Sequence, residues 1–367
     1  MKYGYLFAIT VSVLLCGCSN ITIRKNLNTS APMAEDLKNV LYYASFAPSG
    51  HNTQGWLVNV ISEDEWIIKL DSSRLLKEVD PSGRESLISA GAFLENMRVA
   101  FKAYSYSADI KLNSNPSNIN DNPVIAYVKF NKDESLQKDP SLTALIQKRH
   151  TDKRNYSSKP LDTKALSVLE QEFKGKILYF PKGSPEFEYI KQNSYIANQK
   201  QVVSAAKTGE LADWLRFSDK EAVAKADGLP AEQLGIKGIK KYFYYLIMNR
   251  EKAKGKAFAE SSLKMAKEKL ENCAGYFLVL GSDGESAAAG MTVESFWLRA
   301  ASLDISIHPM SQILEEDGFK KNLETFLKSD QPVQMVFRAG YAKPYGVDNG
   351  IRRPISQFVS FEYSGAK

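Results

Sequence analysis

Apolar residues recur along this chain with two periods, and the switches between them mark out its elements. Leu37, Val40, Leu41 and Ala44 fall at helical spacing, which predicts a helix over 30–44 with Ser30 as cap and Pro32 in the first turn. Ala47-Pro48-Ser49-Gly50 breaks it. Residues 56–61 and 66–70 alternate or run apolar around Ser62-Glu63-Asp64, the pattern of a hairpin. Leu87, Gly91, Leu94, Met97 and Phe101 share one face of a helix over 84–104, and a strand over 124–130 follows Pro123. These elements make an α+β unit.

The stretch 131–140 is the best linker. Beyond it the pattern predicts a short helix over 142–148, an Asp162-capped helix over 163–173, and a strand over 177–180. Residues 186–269 are almost wholly helical in pattern, interrupted at Asp227-Gly228-Leu229-Pro230 and Gly235-Ile236-Lys237-Gly238. Strands over 276–280, 305–307 and 333–337 follow, with a helix over 287–303 between the first two. No short-period repeat is visible. Both halves mix helices with strands, which permits a duplication without establishing one.

The start of the chain is different in kind. Lys2 precedes an apolar run from Tyr3 to Leu15 that is too short to span a bilayer and fits the core of a secretory signal. It ends in Leu15-Cys16-Gly17-Cys18, which resembles the lipobox of bacterial lipoproteins, although Cys16 is an unusual occupant. The expectation is a signal segment over 1–18, lipidation of Cys18, and a polar tether over 19–32. That places the protein at the cell envelope, facing the periplasm or sorted to the outer membrane.

Length and composition narrow the rest. A chain of 367 residues accommodates two domains, and 44% hydrophobic with 25% charged residues is ordinary globular composition. The formal charge of +6 suits an anionic ligand. No basic stripe with interleaved aromatics is present, so nucleic acid is not an expected partner. Two of the three cysteines lie in the leader, leaving Cys273 alone and no disulfide for the exported domain.

Candidate chemistry is sparse. His51, His150 and His308 form no i, i+4 pair and no HxH, so no metal site is expected. The sequence contains no GxGxxG after a strand, no GxxxxGK[ST] and no GxSxG, which disfavours dinucleotide-fold, ATP-driven and serine-hydrolase chemistry. The densest charge cluster runs from Lys148 to Arg154. A phosphate monoester needs two or three cations with hydroxyl or backbone donors, and Arg149, Thr151, Lys153 and Arg154 offer them within six residues. Arg352-Arg353 is a second basic pair, able to clamp a phosphate from another side. The turn Pro48-Ser49-Gly50 leaves backbone N–H groups free, and Asn52 and Gln54 carry amides suited to hydrogen-bonding edges.

Taken together, these segments resemble the nitroreductase superfamily, and within it the Acg-type branch with two nitroreductase-like halves fused in one chain. Ala47-Pro48-Ser49-Gly50-His51-Asn52-Thr53-Gln54-Gly55-Trp56 is similar to that family's APSxxNxQPW, with Gly55 in place of proline. Asp80-Pro81-Ser82-Gly83-Arg84-Glu85 resembles DPxGRE, and Arg149-His150-Thr151-Asp152-Lys153-Arg154 resembles R-[RH]-T-D-R-R. Trp214-Leu215-Arg216, Asp227-Gly228-Leu229-Pro230, His308-Pro309-Met310-Ser311-Gln312, Arg338-Ala339-Gly340-Tyr341 and Arg352-Arg353-Pro354 continue the match in order. The resemblance implies an α+β fold duplicated within one chain as a pseudo-dimer, with halves over 33–135 and 140–367. It further implies one FMN, held by Arg149, Thr151 and Lys153 with Arg352 and Arg353 at phosphate and ribityl. Pro48, Ser49 and Asn52 would line the flavin from the opposite half, with His308, Pro309 and Ser311 approaching the ring. An insertion near 235–269 carrying Tyr242, Phe243, Tyr244 and Tyr245 is a candidate lid. The implied activity is an FMN-dependent oxidoreductase passing electrons from NADH, NADPH or another donor to a small acceptor. No residue is an evident general acid, so no catalytic side chain is assigned. An FMN-binding or sequestering lipoprotein with little turnover is the alternative, and a flavin-free envelope protein that kept the fold is a third.

Overall fold

In the computed structural model of the chain, residues 33–362 are described, apart from positions 115, 117, 158 and 346–349. The signal segment, Cys18 and the tether therefore lie outside the described residues. The first half contains α1 (Glu35–Ala44), β1 (Trp56–Val60), β2 (Glu65–Leu70), α2 (Arg84–Ala103), β3 (Tyr106–Leu112) and β4 (Val124–Lys132). Next come α3 (Pro140–Lys148), α4 (Thr163–Glu172) and β5 (Ile177–Pro181). A helical insertion follows: α5 (Pro185–Val203), α6 (Ala205–Trp214), α7 (Asp219–Lys225), α8 (Ile239–Ile247), α9 (Arg250–Ala253) and α10 (Lys256–Glu271). The chain then forms β6 (Gly275–Leu280), α11 (Ser286–Ser302), β7 (Ser306–Pro309), α12 (Gln312–Glu315), α13 (Phe319–Leu327), β8 (Val333–Gly340) and β9 (Val359–Phe361).

Most predicted elements are present, with instructive exceptions. Helix α1 starts at Glu35 after Ala34, which makes no side-chain cap. The expected Asp162 cap does form, accepting from the Lys164 and Ala165 N–H groups. Strands β3 and β9 are not among the predicted elements. β3 is an edge strand that buries no residue fully, and β9 is three residues long, paired with β1 and with Val359 and Phe361 packed on the first core.

Two sheets result, ordered β3-β4-β2-β1-β9 and β5-β6-β8-β7. Every pairing is antiparallel except β1 with β9. Read from the β3 and β7 edges, the two sheets have the same order and the same connectivity: β1, β2, α2, β3, β4 repeats as β5, β6, α11, β7, β8. The registers repeat as well. Ala108 faces Phe130 and Ile110 faces Val128, as Ile307 faces Ala339 and Pro309 faces Phe337. Both long helices end in a left-handed residue before their strand, Ser105 at φ 61° and Asp304 at φ 57°. The α+β fold duplicated within the chain is thus what the structure has. The division at 135–140 follows the chain, whereas in space β9 returns to the first sheet beside β1.

Helices α2 and α11 pack against each other at the centre. A Cβ on Gly91 would sit 2.0 Å from the Ala287 carbonyl oxygen, and one on Gly290 would sit 2.1 Å from that of Ile88. Only glycine lets the backbones approach this closely. The two cores interlock across the contact: Leu298 of α11 joins the core built around Trp56, Phe93 and Trp66, while Ile88 of α2 joins the one built around Phe277, Phe296 and Phe337. Among the described residues, no helix is long and apolar enough to cross a membrane.

Candidate functional site

A cavity of about 430 Å³ opens beside the crossing of α2 and α11, within the range of cofactor pockets. Pro48, Ser49 and Asn52 line it from the first half. Arg149, Thr151, Lys153, His308, Pro309, Ser311 and Arg352 line it from the second. Ten of the eleven cofactor positions expected from the sequence therefore meet in one place, although Ser49 and Arg352 lie about 300 residues apart in the chain.

The Pro48–Gln54 bend is held in an uncommon conformation. His51, Asn52 and Gln54 all have positive φ, at 49°, 56° and 54°, which for non-glycine residues persists only when surroundings enforce it. The enforcement is visible. The Ser49 hydroxyl accepts from the Gln54 N–H at 2.9 Å, and Gln54 Nε2 donates to the Ala226 carbonyl at 2.9 Å. Asn52 Nδ2 donates to the Gly228 and Ile351 carbonyls at 3.1 and 3.3 Å. Asn52 lines the cavity, but its amide donors fasten the insertion loop Asp227-Gly228-Leu229-Pro230 rather than pointing to a ligand.

The basic turn is built around Arg338. Its guanidinium donates to the carbonyls of Asp152 and Arg154 at 3.0 and 2.8 Å and to His308 Nδ1 at 3.0 Å, so it shapes the turn that presents Lys153 and fixes His308 as a neutral acceptor. Lys153 forms no ion pair with a carboxylate among the described residues. Burial, with the charge of Lys269 added, pushes its pKa down to about 8. Lys269 is itself pushed down to about 8 by burial and by Arg338. His308 is held well below its usual range by burial, then by Arg338, Lys153 and Lys269. His51, across the junction, falls to about 4 through burial and Lys153. Lys153, Lys269, Arg338, His308 and His51 thus crowd positive charge into one place, offset in part by Glu268 beside Lys269, an arrangement that an incoming anion relieves.

Arg149 and the Arg352-Arg353 pair are placed differently from each other. Arg149 Nε lies 2.8 Å from Glu294 Oε1 on α11, its Nη2 donates to the Phe46 carbonyl at 2.7 Å, and it lies over the Trp297 ring at 4.6 Å. Its Nη1 has no hydrogen-bond partner. Burial lifts Glu294 to about 7 against the pull of Arg149. Arg352 donates to the Ser45 and Phe46 carbonyls at 2.6 and 3.0 Å and borders the cavity while holding the end of α1. Arg353 is a correction to the sequence expectation: it does not line the cavity. Its guanidinium donates to the Gln54 and Trp56 carbonyls at 2.6 and 2.8 Å and faces Asp71 at 3.4 Å, so it locks the β1 end of the bend. The lid expectation is corrected in detail too. The insertion contributes Asn198, Gln201, Glu232, Gln233, Lys237 and Ser262 to the cavity wall, but none of Tyr242, Phe243, Tyr244 and Tyr245 lines it.

The structure adds a pair of acids that the sequence leaves without a role. Glu85, at the start of α2, and Glu315, in α12, both line the cavity. Glu315 accepts from the Ser311 hydroxyl at 2.5 Å and from Gln201 Nε2 at 2.6 Å, and Arg84 flanks Glu85 at 3.1 Å. Burial raises both carboxyls, and the charge of Glu315 raises Glu85 further against the pull of Arg84. Both residues also border an outer cleft lined by Asp80, Arg84, Glu316 and Lys320. The signal was available only in part, since 230 positions separate the two carboxylates.

No family model matches the chain. It is 33% identical over 135 residues to "Putative NAD(P)H nitroreductase Rv3131" of Mycobacterium tuberculosis, a match covering 37% of this chain and 38% of that protein. It is 34% identical over 126 residues to "Putative NAD(P)H nitroreductase acg" of the same organism, covering 34% and 37% respectively. The chain thus spans less than two fifths of the length of these curated relatives in the matched stretch. Among solved structures, the FMN- and NADPH-dependent nitroreductase NfnB from Sphigopyxis sp. strain HMH is similar at a TM-score of 0.38 and 11% identity, covering 60% of this chain and 98% of that one.

Proposed function

We propose that this protein is an FMN-dependent oxidoreductase of the nitroreductase type, taking electrons from NADH or NADPH and passing them to a small acceptor. One observation carries the reading. Lys153 is a half-buried cation with no ion-paired carboxylate among the described residues, lining a cavity of cofactor size where the two halves meet. A phosphate monoester supplies the missing negative charge. Lys153 and the Thr151 hydroxyl hold that phosphate, and Arg149 and Arg352 fix the walls behind it. Bound FMN supplies hydride transfer at its ring. The chain's own contributions are to hold the ring against the strained Pro48–Asn52 bend, to keep His308 unprotonated, and to place Glu85 and Glu315, two carboxyls raised by burial, at the cavity wall.

The relatives' names and the ordered motifs support this reading. The lipidation of Cys18, the tether and the cell-envelope location expected from the sequence are part of the same proposal. The alternative of an FMN-sequestering protein draws on the insertion, whose residues from Asn198 to Ser262 wall the cavity and restrict a second substrate.

The test is FMN binding followed by fluorescence. Lys153→Ala weakens FMN at least about tenfold through loss of a charge-assisted contact, whereas Lys148→Ala, an exposed residue paired with Asp304, leaves it unchanged. Wild-type protein that takes up no FMN, or a Lys153→Ala variant that binds normally, refutes the assignment. Anaerobic addition of NADH and NADPH to the loaded protein then separates the two readings: a bleached flavin supports the oxidoreductase, an unbleached one the sequestering protein.

A further inference from the structure

Helix α8 is inside out. Its residue Lys241 is buried, donating to Asp219 Oδ2 at 2.7 Å and pairing with Glu232. Its apolar residues face outward: Ile239 is 70% exposed, Tyr242 62%, Phe243 51%, Leu246 67% and Ile247 53%. Among the described residues these five make up half of all large hydrophobic side chains that are exposed, within nine positions. They recur at i, i+3, i+4, i+7 and i+8, the spacing of one helical stripe. A helix that folded only to serve this domain would turn that stripe inward and leave its lysines in water. Here the inward contacts are made by Lys241 and by Tyr245, whose hydroxyl accepts from the Ala231 N–H at 3.2 Å.

The surroundings of the stripe identify what covers it. Residues 236–256 hold seven basic residues against one acid, Glu251, a net of six positive charges and as many as the formal charge of the whole chain. Lys240, Arg250, Lys252, Lys254 and Lys256 are exposed, while Lys237 belongs to the cavity wall. An apolar stripe of aromatic and branched side chains bordered by lysine and arginine is the composition of a helix lying in a membrane interface, with rings at the headgroup level and cations toward anionic lipid. A second copy of this chain would bring two strongly basic borders together.

We propose that α8 docks this protein on an anionic phospholipid surface, inserting Ile239, Tyr242, Phe243, Leu246 and Ile247 among the headgroups while the flanking lysines and arginines contact lipid phosphates. This surface is distinct from the cavity, and docking does not depend on the cofactor. It agrees with the anchor proposed at Cys18, fifteen residues before Met33 and so within about 50 Å of the folded part at full extension. A single lipid chain binds reversibly, and a basic interfacial helix is the kind of second contact that makes attachment stable.

The experiment places a reporter at the stripe. Full-length Phe243→Trp is mixed with vesicles of phosphatidylglycerol and phosphatidylethanolamine carrying brominated acyl chains, and its tryptophan emission is compared with that of the parent chain. Of the parent's four tryptophans, Trp56, Trp66 and Trp297 are buried and Trp214 is half-buried, so quenching gained over the parent reports position 243 whatever the leader does. Expected is quenching gained over the parent, weakened by salt and weakened about fivefold or more by each of Lys240→Glu and Lys252→Glu. No added quenching, or equal quenching on phosphatidylcholine vesicles, overturns the proposal. A concentration-dependent dimer in sedimentation that Leu246→Asp disperses assigns the stripe to a second copy instead, and overturns it equally.

Discussion

The two halves of this molecule run the same connectivity with opposite economies. In the first, β1 and β2 are joined by four residues, 61–64; in the second, the equivalent β5 and β6 are joined by ninety-three, 182–274. The central helices carry matched features, each with a glycine at the crossing and a buried acid four residues later, Glu95 and Glu294. Yet Glu95 holds Arg98, whose side chain is 51% exposed, while Glu294 holds Arg149, 3% exposed at the cavity wall. A repeated framework has therefore been kept for packing, and one of its two equivalent acids serves a site. Asymmetry enters through what the second half adds: the insertion, the Arg149–Arg154 turn, and the returning segment that ends in β9.

The largest expected effects test the shared framework. Gly91→Ala and Gly290→Ala each place a methyl against a backbone carbonyl, and each lowers stability by about 3 kcal/mol or more in urea unfolding. A tolerated alanine at either position breaks the equivalence of the two helices.

The paired acids sharpen it. Arg149→Ala leaves Glu294 buried without its cation and costs about 3 kcal/mol at pH 8, against roughly 0.5 kcal/mol for Arg98→Ala at the half-exposed pair. Because the folded pKa of Glu294 is raised from its ordinary value to about 7, its contribution to stability is fully present below about pH 4.5 and lost as pH rises through 7. The penalty of Arg149→Ala accordingly shrinks at pH 5, where Glu294 is protonated. Urea midpoints at the two pH values decide this, and equal, pH-independent losses for both arginines contradict the division of roles.

The smallest effect concerns the cluster that only the second half owns. Lys153 and Lys269 titrate near 8 in the free protein, so they lose positive charge as pH rises through that value. FMN affinity measured by fluorescence is expected to fall several-fold between pH 7 and pH 9.5, and Lys153→Met flattens much of that change. A wild-type affinity that stays constant over this interval removes the lysine cluster from the site.

How much of this was open to a reader of the chain differs by element. The hairpin at 56–70, the capped helix after Asp162 and the long helices α2 and α11 follow from periods of two and 3.6 with turn residues between them, because such patterns record which face is buried. Strand β3 does alternate, Tyr106, Ala108, Ile110 and Leu112 against Ser107, Asp109 and Lys111, yet it is not among the predicted elements, whereas β9 has no local signal because its partner lies 300 residues earlier. Of the site, the Pro48–Asn52 and Arg149–Lys153 stretches were legible as short-range motifs. Arg353 was misread, because adjacent arginines look alike in sequence and differ only in which carbonyls they reach.

The sequence by itself determined most of the elements and the identity of the chemical groups available for an anion, since each depends on neighbours within a turn or two. Tertiary structure decided which cations lie without a carboxylate partner, which carboxyls are raised by burial and which face of α8 meets solvent. Those properties come from burial and from charges brought together across hundreds of residues, and the energy of a charge depends on its surroundings rather than on its place in the chain.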